Sequence, residues 1–170
     1  MSTTKPLEGI KVIEISTIIT ASLSAMMLSD QGAEVIKIEQ TGFGDPLRYL
    51  GTQKGGISAI FANTNRGKKS IELDLKTESD LEQAKKLISE ADVLINNFRP
   101  GVMDSLGLGK EDCKTLNKNL IYVAITGFGK EGPYANAPAY DHVVQAMSGS
   151  TAIQADEDKP KYIKTLLCDK

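Results

Sequence analysis

The sequence predicts an α/β protein built on an open, mostly parallel sheet with helices on both faces. Short runs rich in Ile, Val and Leu alternate with stretches of helical periodicity, the pattern of strands buried on both faces and joined by crossover helices. The breaks between them are rich in Gly, Pro, Asn and Asp, which is turn chemistry. No internal repeat, low-complexity tract or second domain interrupts the alternation, and 170 residues is the size of one domain, expected here over 1–170.

The elements follow in order. Lys11–Ile15 is a short apolar strand, and 18–30 reads as a helix rich in small and flexible apolar residues, stopped by Gly32. Glu34–Glu39 is a second strand, followed by a Gly/Pro-rich loop and a helix near 57–64. In 70–75, Ile71, Leu73 and Leu75 alternate with Glu72 and Asp74, so one face is wet and an edge strand is expected. Thr77 or Ser79 caps a helix running to Glu90, with Ser79 and Glu82 spaced as a capping box and Leu81, Ala84, Leu87 and Ile88 on its buried side. A strand at 92–96, a turn at 97–101, two short helices at 102–106 and Lys110–Leu116, and a strand at 120–126 come next. The loop 127–138 holds three glycines and two prolines; 140–147 is helical, and 161–168 is expected as the last strand, lifting Asp169 to its tip.

Lys and Arg total 20 against 22 Asp and Glu, a net charge of −2, which gives no general reason to expect nucleic acid or an anionic membrane as partner. Cys113 and Cys168 match no metal-ligand spacing and are too few for a disulfide scaffold, so both read as core packing in a reducing compartment and no metal is expected. The first residues lack the apolar run of a signal peptide, and no stretch approaches a membrane span. A soluble, cytoplasmic protein is the expectation.

Several stretches are candidates for chemistry. Gly127-Phe128-Gly129-Lys130-Glu131-Gly132 is a literal G-x-G-x-x-G behind a strand. A dinucleotide fingerprint needs a helix to open inside it, and Pro133 and Pro138 interrupt this one, so it reads as a flexible loop. Arg66-Gly67-Lys68-Lys69 offers three cations and reads as a basic turn before an edge strand. Asn97-Phe98-Arg99 lies behind a strand, where open α/β sheets bind ligands. His142 is the only histidine and a credible general base only if it lines a cavity; Tyr140 is expected to bury its ring and expose its hydroxyl. Asp169, behind an apolar run, faces the ligand crevice if that run is an inner strand.

Read together, "PLEGIKVIEIS", "MMLSDQGAEVIKIEQTGFGDPLR", "NRGKKSIELDLKT", "ADVLINNFRPGVMDSLGL", "NLIYVAITGFGKEGPYANAPAYDHVVQAMSG" and the final "CDK" resemble, in that order, the amino-terminal part of the family III coenzyme A transferases. That family includes formyl-CoA and carnitine-CoA transferases and the α-methylacyl-CoA racemases. The resemblance implies a Rossmann-like, CoA-binding part of a larger fold; because family members are longer, the chain resembles an N-terminal fragment or truncated copy. It implies catalytic roles at Asp169 and Tyr140, with CoA contacts at Leu73, Lys76, Asn97, Phe98, Arg99, Tyr140 and Asp141. The implied partners are acyl-CoA and carboxylic acid small molecules, with CoA as the carried group, and the intact form is implied to be an interlocked homodimer.

By the same resemblance, Asp169 attacks the thioester of an acyl-CoA to give a mixed anhydride, the CoA thiolate returns to form an aspartyl-CoA thioester, and an acceptor acid then takes CoA. Two departures stand out: Ala21-Ser22 where the family often has Gly-Pro, and Gln40 where it often has Arg. In the racemase branch a histidine pairs with the same aspartate, but it falls at Tyr140 rather than at His142. Two positions on a helix turn a side chain by about 200°, so His142 is expected to point away. Lys170 also follows Asp169 where racemases tend to have Phe. The transferase reading is therefore favoured over a racemase and over a non-catalytic CoA-binding fragment.

Overall fold

The structure, a computed structural model, describes residues 4–156 and 159–169, and the chain divides into two compact units, Met1–Ile125 and Thr126–Lys170. In the first, β1 (Lys11–Ile15), α1 (Thr20–Asp30) and β2 (Glu34–Glu39) are followed by a 3-10 turn at Pro46–Arg48 and a small hairpin, β3 (Gln53–Lys54) and β4 (Ile57–Ser58). Then come α2 (Ala59–Asn65), β5 (Lys69–Glu72), α3 (Glu78–Ser89), β6 (Val93–Asn96), α4 (Val102–Ser105), α5 (Lys110–Leu116) and β7 (Ile121–Ala124). The main sheet has the order β5-β2-β1-β6-β7 and is parallel throughout. Counting its strands alone, that is 3-2-1-4-5, the order of a doubly wound nucleotide-binding fold.

Period-two alternation sorts β1 between two cores. Ile13 and Ile15 join Ala84, Ile88, Leu94 and Cys113 under α3 and α5, while Val12 joins Ala21, Ala25, Val35 and Ile95 under α1. The small residues of α1 let it lie close on the sheet. Gly32, at φ 107°, ends that helix where a Cβ would come within 2.6 Å of Lys5 Cβ, so only glycine fits both the backbone and the space. β5 is an edge strand, as its alternation predicts, but its ladder stops at Glu72, with Leu73 buried just beyond.

Four expectations are corrected. The helix expected from residue 18 begins at Thr20, because Ile18 has φ 66° and breaks it. The Ser79–Glu82 capping box is not formed: Thr77 is the N-cap without a side-chain bond, and the nearby loop is tied instead by Asp74 N donating to Asp80 Oδ2 at 2.8 Å. Cys113 is core, whereas Cys168 is only half-buried.

The fourth correction falls in the second unit, where 161–168 forms no strand and Asp169 sits in a turn. That unit contains α6 (Asp141–Met147) and α7 (Ser150–Ile153). Side chains of α6, rather than a neighbouring strand, take the backbone groups of 163–169: Gln145 Oε1 accepts from Ile163 N, and Asp141 Oδ1 from Cys168 N. An apolar run satisfied in this way needs no ladder. Residues 127–138 hold no helix, and a Cβ on Gly127 would lie 1.9 Å from that of Ala139. The first glycine of the G-x-G-x-x-G string therefore serves close packing. Among the described residues no helix is long and apolar enough to cross a membrane.

Candidate active site

In the first unit, a cavity of about 340 Å³ opens beyond the carboxyl ends of β1, β2, β5 and β6, the place where open α/β sheets take ligands. Ser16 and Thr17 follow β1, Gln40 and Asp45 follow β2, and Leu73 to Lys76 follow β5. Phe98 follows β6 and lines the same cavity, half-buried against the core. Three of the residues predicted as CoA contacts, Leu73, Lys76 and Phe98, thus share one crevice. Lys76 is exposed, and Leu73 contributes an apolar wall. Arg99 is exposed on the following turn.

Asn97 does something the sequence does not announce. Its Oδ1 accepts from Thr17 N at 3.1 Å, and its Nδ2 donates to Thr17 O at 2.7 Å, so the side chain braces the β1–α1 turn. That turn needs bracing because the left-handed backbone at Ile18 is a genuine outlier for a β-branched residue. Asp45 Oδ1 holds the other side, accepting from Ile18 N at 3.0 Å. Asn97→Ala is expected to cost about 1–2 kcal/mol in urea unfolding, the loss of two such bonds. Unchanged stability would leave Asn97 as a surface contact only.

Glu39 occupies the position from which doubly wound dinucleotide folds bind a ribose hydroxyl, but its carboxylate is already committed. Arg48 donates to it at 2.7 and 2.5 Å, Ser70 Oγ at 2.6 Å and Asp45 N at 2.8 Å. Burial pushes its pKa up, but the bonds from Arg48, Ser70 and Asp45 outweigh that and hold it at about 2. A carboxyl depressed on folding contributes stability that is full above its ordinary value of 4.5 and is lost as pH falls towards 2. Glu39→Gln should therefore be less stable than wild type at pH 7 and differ less from it at pH 3, as read by urea unfolding at both values.

Beneath the crevice lies a cluster that sequence reasoning missed. Glu14 and Lys37 are register partners on β1 and β2, both buried. Lys37 Nζ lies 2.6 Å from Glu14 Oε1 and 2.9 Å from Asp45 Oδ2, and Lys68 Nζ lies 2.6 Å from Glu14 Oε2. Ser16 and Ser22 hydroxyls complete the shell around Glu14. Burial opposes the charge on Glu14, but the two ammonium groups outweigh it and keep the carboxyl below its usual range. Of the basic run, Arg66 pairs with Asp30 and Lys69 with Glu34 at the surface, while Lys68 goes inside. The signal was legible: Glu14 in KVIEI and Lys37 in EVIKIE interrupt the interior of two strands whose other charged residues stand only at their ends.

In the second unit, Asp169 is half-buried, and its carboxylate makes no hydrogen bond or ion pair to any described residue. Burial raises its pKa, the nearby Asp141 charge adds to the rise, and His142 opposes it. Asp141 is buried, and burial alone would push its pKa up; the Cys168 amide, the Gln145 amide and the Asp169 amide outweigh that and hold the carboxyl below its usual range. A shallow groove of about 340 Å³ runs past Asp141, His142, Gln145 and Tyr162. Tyr140 is 55% exposed, contrary to the expectation of a buried ring. His142 does not point away from it: the two rings stack nearly parallel, centroids 6.0 Å apart. The helical 200° argument fails because Tyr140 is the N-cap, with φ −126° and ψ 157°, and only Asp141 onward is helical.

These features can be set beside known proteins. The chain matches CoA-transferase family III over residues 7–170. It belongs to that family. It is 44% identical to the acetyl-CoA:oxalate CoA-transferase of Acetobacter aceti over 155 residues, 91% of this chain and 40% of that protein. Over 159 residues it is 37% identical to the succinyl-CoA:glutarate CoA-transferase of Homo sapiens, covering 93% of this chain and 36% of that one. The crystal structure of a CAIB/BAIF family protein from Brucella suis superposes with a TM-score of 0.92 at 39% identity, covering 98% of this chain and 46% of that chain. This family III chain thus spans less than half the length of these relatives. Lys170, which the sequence comparison used against the racemase branch, lies outside the described residues.

Proposed function

We propose that this chain supplies a CoA-binding crevice and the nucleophile of a CoA-transferase that moves CoA from an acyl-CoA to a carboxylic acid. The observation that carries the reading is Asp169: a half-buried carboxylate with no partner among the described residues, its pKa raised by burial and by Asp141, on a turn that is otherwise tied down. A structural carboxylate would be paired. An unpaired one, partly stripped of water, is a stronger nucleophile.

One Asp169 oxygen attacks the thioester carbonyl, the C–S bond breaks, and CoA leaves as thiolate, giving a mixed anhydride. The thiolate attacks the aspartyl carbonyl and expels the first acid as carboxylate, leaving an aspartyl-CoA thioester. The acceptor carboxylate attacks that thioester, CoA leaves again, and its return to the acceptor acyl carbon frees Asp169. Each step keeps the acyl group activated, so no energy input is needed. Leu73 and Phe98 would pack against the apolar parts of CoA, with Lys76 and Arg99 near its phosphates. Asn97 would act through Thr17, and Asp141 is spent on the Asp169 turn. Homologue names that pair an acyl-CoA with a small acid support the substrate class.

The test is hydroxylamine trapping in the protein at its full natural length. An acyl-CoA should yield a hydroxamate at Asp169 and none in Asp169→Asn; a hydroxamate persisting in that variant refutes the reading. The stack of His142 on Tyr140, with His142 close enough to affect Asp169, favours one second reading, α-proton transfer between His142 and Asp169. Deuterium uptake at the α-carbon of a branched acyl-CoA, without acyl exchange, would establish it instead.

A further inference from the structure

We infer that Asp141 is a positioning residue: with the Gln145 amide one turn further on, it anchors 163–169 and sets the direction of the Asp169 carboxylate. The inference rests on Asp169 being the nucleophile, and it gives Asp141 a different role from contact with CoA. Asp141 and Gln145 are 4% and 2% exposed, so both must be satisfied internally. Asp141 Oδ1 accepts from Cys168 N at 2.5 Å and from Asp169 N at 3.3 Å, and Oδ2 accepts from Gln145 Nε2 at 2.5 Å. Gln145 Oε1 accepts from Ile163 N at 2.9 Å. Its Nε2 also reaches Ile163 O and Thr165 O, but at 3.5 and 3.4 Å these are weak bonds.

The clamp matters because nothing regular holds this segment. Residues 160–169 have no helix or strand, and Leu166 and Leu167 are 38% and 48% exposed, so burial contributes little. Charge-assisted bonds from two consecutive amides to one carboxylate oxygen fix the 167–168 and 168–169 peptide planes, and so the chain's approach to the Asp169 Cα, more firmly than neutral acceptors would. A carboxylate displaced by about 1 Å from its line of attack loses about 100-fold in rate.

Three variants separate positioning from its alternatives. Asp141→Ala removes both acceptors. Asp141→Asn keeps an oxygen for Cys168 N but turns an NH2 towards the Gln145 NH2. Asp141→Asn combined with Gln145→Glu restores the donor–acceptor order with the charge moved one turn along. Amide hydrogen exchange at Cys168 and Asp169 should speed up about ten-fold or more in Asp141→Ala and Asp141→Asn and recover in the double variant. Hydroxamate formation should fall about 100-fold in the single variants, with KM for acyl-CoA within about three-fold of wild type, and recover in the double variant.

Unchanged exchange overturns the inference, and so does a rise in KM with kcat intact, which would make Asp141 a CoA contact. Should Asp141→Ala fail to fold, the Asn variant and its rescue carry the test. The nucleophile reading fails separately, if Asp169→Asn still forms hydroxamate; the exchange measurement would be untouched by that result.

Discussion

Lys37→Met unfolds the first unit at a cost of about 3–5 kcal/mol, the largest stability loss expected of any single substitution here. The quartet of Glu14, Lys37, Asp45 and Lys68 is neutral as built, with two ammonium groups against two carboxylates, and the side chains of Lys37 and Glu14 are 2% and 0% exposed. Met fills much the same volume, so the cost is not a cavity. It comes from leaving two buried carboxylates with one cation between them, and Asp45 loses the ammonium 2.9 Å from its Oδ2. Glu14→Gln added to Lys37→Met removes one charge of each sign and leaves Lys68 and Asp45 in balance. The double variant should therefore lose clearly less than the sum of the singles in urea unfolding, because a charge pair removed together takes its desolvation cost with it. Strict additivity would mean the quartet is not electrostatically coupled.

The second large effect is on chemistry. Asp169→Asn should lower kcat by about 1,000-fold or more, since a carboxamide cannot form the anhydride, while stability stays within about 0.5 kcal/mol because no described residue pairs with that carboxylate. Asp169→Glu keeps the carboxylate but displaces it by one methylene, and should retain partial activity. The pH dependence follows from the direction of the shift. The ionised form attacks, its pKa lies above the ordinary 3.8, and so the acidic limb of kcat should lie above that value. His142→Gln removes a nearby group that lowers this pKa, so the limb should move further up. A limb that stays put would separate His142 from the nucleophile.

How far the sequence could be read depended on whether the deciding contacts were local. The bounds of β1 and β2 were legible to the residue because their apolar runs are interrupted by turn residues on both sides. The edge position of β5 followed from its wet alternate face. The run ending at Leu167-Cys168 has the same apolar look, but its backbone partners are side chains on α6, Gln145 lying 18 residues from Ile163 and Asp141 27 from Cys168; no local pattern encodes that. The crevice residues Leu73, Lys76 and Phe98 were recoverable from family resemblance. The bracing role of Asn97 was not, since it depends on strain at Ile18, a position that reads as ordinary helix. Lys68 was misjudged because a basic run looks solvated until one member meets a buried glutamate 54 residues away.

The commitment of Glu39 has a consequence for what else the crevice would admit. With the lone pairs of that carboxylate taken by Arg48, Ser70 and the Asp45 amide, Glu39 has no acceptor left for the sugar hydroxyls of a nicotinamide or flavin dinucleotide. The same carboxylate lines the crevice, so selection against those molecules would come from a bond pattern internal to the protein, set before any ligand arrives.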